Sequence, residues 1–264
     1  AGASAISCAR HYVRLGVKKE NLLMVDSKGI LTNKRSKNGE LNKYKDEFAR
    51  DVKEGGIKDA MIDADVFLGL SKGGIVSKEM VTSMAARPLI FALANPDPEI
   101  LPDDVYEVRE DAIVATGRSD YPNQINNVLG FPYIFRGALD VRATEITENM
   151  KMAATKAIAA LAKEPVPDDV AAAYDGEQIQ FGPEYIIPKP FDARVLIWEA
   201  SAVAQAAVDE GVSKFTKEEF DIEIYREELE ARLGLTRSIM RRVINRARRD
   251  KKRIVFAEGE HPTI

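Results

Sequence analysis

Six apolar residues in a row, Leu89-Ile90-Phe91-Ala92-Leu93-Ala94, stand between Pro88 and Asn95-Pro96. A run of that length between breakers predicts a strand buried on both faces, the kind that parallel sheets covered by helices contain. Similar runs predict strands at 21–26, 64–70 and 111–117. Helical spacing predicts a first helix within 1–15, where Ile6, Ala9, Tyr12, Val13 and Leu15 form an apolar stripe that Gly16 closes. Further helices are predicted at 41–53, 57–61, 77–85, 128–139, 146–162 and 192–210, with a proline-containing connection over 166–185. Beyond a boundary at 214–220 the composition turns to charged helices, 222–233 and 237–252. Strands alternating with helices indicate α/β architecture: a doubly wound, Rossmann-like parallel sheet followed by C-terminal helices and a helical linker.

Composition narrows the function classes. The 264 residues are 45% hydrophobic and 30% charged with a formal net charge of -4, which is ordinary for a globular protein. That balance gives no general attraction to nucleic acid or anionic membrane. The basic cluster Arg241, Arg242, Arg246, Arg248, Arg249, Lys251, Lys252 and Arg253 fits an interdomain or subunit contact better than a nucleic-acid site, because no reading motif accompanies it. A single cysteine, Cys8, rules out an intramolecular disulfide and a cysteine-based zinc site. No apolar run reaches bilayer length, and no signal-peptide pattern is visible. A reducing, cytoplasmic setting is expected. The opening Ala1-Gly2-Ala3-Ser4-Ala5 with no strand before it, and the strand-like 253–257 near the end, predict a piece of a longer protein.

Three stretches carry candidate chemistry. If a glycine precedes Ala1, the opening becomes the G-x-G-x-x-A dinucleotide fingerprint. Gly2 then allows close approach of a pyrophosphate, Ala5 allows tight helix–sheet packing, and the helix N-terminus offers free N–H groups and a positive dipole. Asp26, 24 positions after Gly2, stands where the acid that meets a ribose is expected. The alternative is a helix start built of small residues. Lys28 beside that acid is a candidate partner for a 2′-phosphate, and Lys34, Arg35, Lys37, Lys43 and Lys45 can do the same or form a solvated basic loop. Asn95, at the carboxyl end of the 89–94 strand, suits a carboxylate, hydroxyl or carboxamide, or simply begins a turn. Asn123-Gln124-Ile125-Asn126-Asn127 places four amides between a strand and an apolar helix, where α/β sheets keep ligand contacts or where asparagines cap a helix start. The Ser71-Lys72-Gly73-Gly74 turn either approaches a cofactor or is an ordinary βα loop.

Taken together, residues 90–100 with Asn95-Pro96, the run Gly117-Arg118-Ser119-Asp120-Tyr121-Pro122-Asn123-Gln124-Ile125-Asn126-Asn127, and Val25-Asp26-Ser27-Lys28-Gly29 resemble the malic enzymes. The likeness is to the bacterial NADP-dependent kind fused to a phosphotransacetylase-like part, whose first strand the tail Lys252-Arg253-Ile254-Val255-Phe256-Ala257-Glu258-Gly259 resembles. The resemblance implies an NAD(P)-binding domain over 1–140 lacking its first strand. It implies C-terminal helices over 141–215, a helical linker over 216–252 and the start of the phosphotransacetylase-like domain at 253–264. It implies oxidative decarboxylation of malate to pyruvate and carbon dioxide with NADP and Mg²⁺ or Mn²⁺. Gly2, Ala3, Ser4 and Ala5 would line the pyrophosphate, and Asp26, Ser27 and Lys28 the adenosine ribose. Asn95 would touch cofactor and substrate, and Asn126 and Asn127 the substrate.

The same resemblance places the catalytic tyrosine, the general-base lysine and the metal-binding carboxylates upstream of Ala1. This chain is therefore expected to hold no catalytic or metal-binding residue and to be inactive alone. A homo-oligomer is expected, and an acyl-CoA effector at the last domain. Ser71-Lys72-Gly73-Gly74 is more polar than the family's usual turn there. Two other classes compete: a dinucleotide-binding regulatory module without chemistry, and an amino-acid dehydrogenase, for which residues recognising an ammonium group are not evident.

Overall fold

The structure is a computed structural model and describes residues 1–172, 174 and 179–249. Helix α1 (Ala3–Arg14) buries Ile6 and Ala9, and Gly16 turns the chain away from it with φ 108°. A hairpin of β1 (Val25–Asp26) and β2 (Gly29–Ile30) follows, then the short helices α2 (Asn33–Lys37), α3 (Lys43–Asp46) and α4 (Ile57–Met61). Next come β3 (Val66–Gly69), α5 (Lys78–Thr82), β4 (Leu89–Ala92), α6 (Pro102–Tyr106) and β5 (Ile113–Thr116). A 3-10 turn at Asn127–Leu129 leads into α7 (Phe131–Asp140), α8 (Glu148–Leu161), α9 (Asp168–Ala172), α10 (Arg194–Asp209) and α11 (Ile222–Arg249).

The fold is α/β. Strands β3, β4 and β5 form a parallel sheet in that order, with Gly69 beside Ala92 and Ala92 beside Thr116. All three strands therefore end level, and the loops that leave them share one edge. Ile90, Ala92 and Val114 pack with Val81, Met84 and Val105 beneath that edge. A second core joins α7, α8, α10 and α11 through Val141, Met150, Val203 and Leu229. Helices α7 and α10 cross closely because Gly137 has no side chain: a Cβ there would stand 2.4 Å from the Ala200 carbonyl oxygen.

Several sequence expectations are corrected. Residues 21–26 do not form a buried sheet strand; only Val25 and Asp26 extend, and they pair antiparallel with Gly29 and Ile30. Leu23 is 43% exposed, so the apolar run there does not lie within a sheet. The helix predicted at 41–53 shrinks to Lys43–Asp46, started by the Asn42 side chain, which accepts from the Tyr44 and Lys45 amides. Strand β4 buries Ile90 and Ala92 fully but Leu89 and Phe91 only in part. The connection at 166–185 contains α9, and α6 appears where Pro102 starts a helix that no periodicity announced. The two charged helices are one, α11, running through Gly234. A mid-helix glycine weakens a helix by roughly 1 kcal/mol and does not have to end it. Residues 253–264, read above as the start of another domain, lie outside the described residues. Among the described residues no helix is long and apolar enough to cross a membrane.

Candidate functional site

The first helical bond of α1 runs from the Ile6 amide to the Gly2 carbonyl oxygen at 3.1 Å. The amides of Ala3, Ser4 and Ala5 precede it and are not used by the helix. Gly2, Ala3 and Ser4 are exposed, and a Cβ on Gly2 would meet nothing within 4 Å. The result is an open helix terminus with positive dipole and free donors, suited to a phosphate group. Ala1, Gly2 and Ala3 line a cavity of about 890 Å³.

Asp26 ends β1, and its partner Lys45 lines this cavity. Its side chain is 8% exposed and carries two cations. Arg35 donates from Nη1 to Oδ1 at 3.0 Å and from Nη2 to Oδ2 at 3.1 Å. Lys45 Nζ lies 2.6 Å from Oδ2, and the Lys28 amide donates to Oδ1 at 2.9 Å. Burial pushes the carboxyl up, but the bonds from Arg35, Lys45 and the Lys28 amide outweigh it and hold Asp26 well below the usual carboxylate range. Arg35 is 4% exposed. It also donates to the carbonyl oxygens of Gly29 at 3.0 Å and Ile30 at 3.1 Å. Thr32 caps α2 by accepting from the Arg35 amide, which fixes where Arg35 starts.

The basic run thus divides by role. Arg35 is an internal brace, and Lys34 pairs with Glu54 at 2.7 Å. Lys45 is one-quarter exposed and lines the same cavity as Gly2, with Asn42 and Tyr44 beside it. Ser27 and Lys28 sit exposed on the hairpin turn. Arg35 is shared with a second acid, its Nε lying 3.3 Å from Glu40 Oε2, so two carboxylates balance two side-chain cations at the end of β1.

At the sheet edge Asn95 is exposed, and its Nδ2 lies 3.8 Å from where a Cβ on Gly117 would stand. The amide therefore lies over the exit of β5. The Ser71–Gly74 turn packs on the neighbouring loop: a Cβ on Gly73 would stand 2.7 Å from the Asp97 Cβ and 2.8 Å from its carbonyl oxygen. Gly73 is there for loop packing.

The amide cluster also divides. Asn123 is 2% exposed. It donates from Nδ2 to the carbonyl oxygens of Val114 at 3.0 Å and Pro183 at 2.7 Å, and accepts at Oδ1 from the Ile186 amide at 2.9 Å. Asn126 accepts from the Val128 amide at 3.0 Å and starts the 3-10 turn. Asn126 therefore caps a helix start, and Asn123 ties β5 to the 183–186 segment. Asn127 is exposed and borders a second cavity of about 600 Å³ with Val128, Phe131 and Pro132. Gly130 and Ile134 line both cavities, so Asn127 and Gly2 border spaces that meet there. Among the described residues neither Asn95 nor Asn127 is held by a side-chain hydrogen bond.

Two acids went unnoticed in the sequence. Glu99 is fully buried and bonded. Glu199 is fully buried, both its carboxylate oxygens lack a partner, and burial pushes it up to about 8. No sequence signal marked either, since Glu99 follows a proline in a loop and Glu199 sits in an apolar helix. Among the described residues no group of three His, Cys, Asp or Glu could hold a metal ion.

Comparison with known proteins adds the family. The pattern described as "Malic enzyme, NAD binding domain" matches residues 7–172. The chain is 53% identical over 260 residues to the NADP-dependent malic enzyme of Rhizobium meliloti, covering 98% of this chain and 34% of that one. It is 49% identical over 265 residues to the probable NADP-dependent malic enzyme of Rickettsia prowazekii, covering 100% of this chain and 34% of that one. Among solved structures, the malic enzyme of Entamoeba histolytica superposes with a TM-score of 0.79 at 34% identity, covering 97% of this chain and 50% of that one. The chain thus spans 34% of the length of these two curated relatives.

Proposed function

The chain belongs to the malic enzyme family, whose NAD-binding domain it carries, and on that premise we propose that it is the cofactor-holding part of an enzyme oxidising malate with NADP to pyruvate and carbon dioxide. The observation that carries the cofactor choice is the doubly paired Asp26. A free carboxylate at this position would repel a 2′-phosphate. Here Arg35, which also holds Glu40, and Lys45 neutralise it, and Lys45 shares its cavity with the open terminus of α1.

NADP, when bound, supplies the hydride acceptor. The amides of Ala3, Ser4 and Ala5 would hold its pyrophosphate, with Gly2 giving access. Lys45 and Lys28 would meet the 2′-phosphate beside Asp26 and Ser27. Asn95, over the exit of β5, and Asn127, across the space lined by Gly130, would orient carboxamide and substrate. Asn126 would act through its cap, by holding the backbone of Asn127. These residues bind and orient; none is placed to take the proton from the malate hydroxyl. The base and the ligands of Mg²⁺ or Mn²⁺ we assign to the part of the relatives' length that this chain does not span, so it would be inactive alone.

The finer family type rests on the tail 252–259, whose likeness to a phosphotransacetylase-like strand supports a fused bacterial enzyme sensing acyl-CoA esters. A cytoplasmic homo-oligomer fits the single cysteine and the charged α11. Domain limits at 140, 215 and 252 remain our assignment.

The test is titration calorimetry of NADP and NAD against the 264-residue chain, with Lys28→Ala beside it. NADP binding that weakens about tenfold in the variant, with NAD unchanged, supports the cofactor role. Equal binding of both nucleotides by both proteins overturns the preference for NADP. For the substrate, unchanged malate turnover by Asn127→Ala in the full-length enzyme would sink the role of Asn127.

A further inference from the structure

Glu99 is fully buried yet lies in the loop after β4. Its Oε1 accepts from the Ser71 amide at 2.9 Å, and its Oε2 accepts from the Ala94 amide at 3.0 Å. Ser71 belongs to the loop leaving β3, and Ala94 belongs to the loop leaving β4 and directly precedes Asn95. One carboxylate therefore ties the two exit loops together. The backbone repeats the tie: the Val76 amide donates to the Glu99 carbonyl oxygen and the Gly74 amide to that of Pro98, both at 3.1 Å. The carboxyl group lies against Gly69, the last residue of β3. A Cβ on Gly69 would stand 2.3 Å from Cδ and 2.5 and 2.6 Å from the two oxygens. Glycine at 69 and glutamate at 99 are thus one device, since any side chain at 69 would push the carboxylate off its two donors.

We propose that Glu99 is a positioning residue that sets the geometry of the dinucleotide-binding edge, by fixing Ser71 and Asn95 relative to each other. The proposal rests on the dinucleotide role argued above. A glutamate suits the task because its two oxygens accept from both amides at once, where an amide side chain would offer only one acceptor. Ligands of open α/β sheets sit just outside the strand ends, so a shift of the Ala94 amide would carry Asn95 out of place over Gly117.

The experiment compares Glu99→Gln and Gly69→Ala with the parent 264-residue chain. Amide hydrogen exchange is followed at Ser71 and Ala94, and NADP is titrated at a temperature where all three are folded. Glutamine keeps the size but turns one acceptor into a donor facing an N–H group. Faster exchange at one of the two amides, with roughly tenfold weaker NADP binding, is the expected result. In Gly69→Ala both amides should exchange faster; if that variant does not fold, the near-isosteric glutamine carries the test. Accelerated exchange with unchanged NADP affinity would show a merely structural tie and overturn the proposal, and so would unchanged exchange. Failure of the parent chain to bind either nucleotide would strike the dinucleotide role itself and remove the proposed function of Glu99, while exchange would still report whether the tie exists.

Discussion

Arg35 grips Asp26 with both arms of its guanidinium, at 3.0 and 3.1 Å, inside a site where the two side chains are 5% and 8% exposed. The acid that sequence reasoning assigned to a ribose is thus first of all the centre of a buried ion pair. Arg35 also closes the hairpin, because Nη1 donates to the Gly29 and Ile30 carbonyl oxygens as well, while Nε donates to Glu40. The fold thus pairs this acid, and sets Lys45 between it and the cavity, before any ligand arrives.

Replacing Arg35 by methionine should therefore destabilise the chain by about 1–3 kcal/mol, since the Gly29 and Ile30 carbonyl oxygens lose a donor while Lys45 still pairs with Asp26. Urea unfolding at neutral pH measures this. Asp26 is held below its ordinary value near 3.8. Its contribution is complete above that value and is lost as the pH falls towards the depressed one. In Arg35→Met the profile should lose stability at higher pH than in the parent chain. Identical acid profiles would refute the pairing.

Lys45→Ala tests the other cation. Its side chain is one-quarter exposed and reaches both Asp26 and the cavity. The variant should bind NADP about tenfold more weakly and NAD within about twofold of the parent. It should also flatten the salt dependence of NADP binding, because one phosphate partner is gone. Equal loss for both nucleotides would place Lys45 in general folding of the site instead.

The sequence showed the sheet edge well and the hairpin poorly, for physical reasons. Strands β3, β4 and β5 are apolar runs ended by glycine or proline, and such runs have few other homes. The 21–26 run looked the same, but a strand needs neighbours, and Val25 and Asp26 find them only in the next turn. Arg35 was indistinguishable from Lys34 or Lys37 because a basic run says nothing of which side chain turns inward. Glu99 could not be singled out because its partners, Ser71 and Ala94, are backbone amides 28 and 5 positions away. Asn126 was assigned to substrate, yet its side chain caps a turn; among the described residues Asn95 and Asn127 make no side-chain hydrogen bond.

Asn123 supplies a third prediction. It is buried at φ 55° with donors on two carbonyl oxygens and its acceptor on the Ile186 amide. Asn123→Ala should lose about 2–4 kcal/mol, because three backbone groups lose their partner. Asn123→Asp should be worse at neutral pH, because a carboxylate would face the Val114 and Pro183 carbonyl oxygens. Thermal unfolding ranks the two, and an aspartate variant as stable as the parent would contradict the bonding pattern.

Gly137→Ala probes the helical half. The added methyl would stand 2.4 Å from the Ala200 oxygen and 2.9 Å from the Val203 Cβ. Helices α7 and α10 must then move apart, at about 1–3 kcal/mol for overpacking. Helix propensity alone predicts a gain of up to about 1 kcal/mol, so the sign of the change in unfolding free energy decides between contact and propensity.

Glu199 gives the pH prediction that the fold itself writes. Burial pushes its carboxyl from an ordinary 4.5 up to about 8, so the folded chain keeps a proton that the unfolded chain gives up. Stability from this group is complete below about 4.5 and is lost as the pH rises towards 8, at most about 1.4 kcal/mol per pH unit. His11, which lines the same cavity, is lowered by burial from 6.5 and acts the other way: stability rises as the pH climbs through its titration. Glu148, also on the cavity, is pulled below its ordinary value by the hydrogen bond from Lys151. The Ala1 amino group, also on the cavity, is lowered by burial from 8.0 and acts as His11 does, so between pH 6.5 and 8 Glu199 is read from the difference between the parent chain and Glu199→Gln. There the parent chain should lose stability with rising pH relative to Glu199→Gln. Glu199→Leu should be the more stable variant, by about 1–3 kcal/mol at pH 8, because it removes an unpartnered polar group. Parallel profiles for parent and glutamine variant across that window would mean that the carboxyl finds a partner in solution and ionises at its ordinary value.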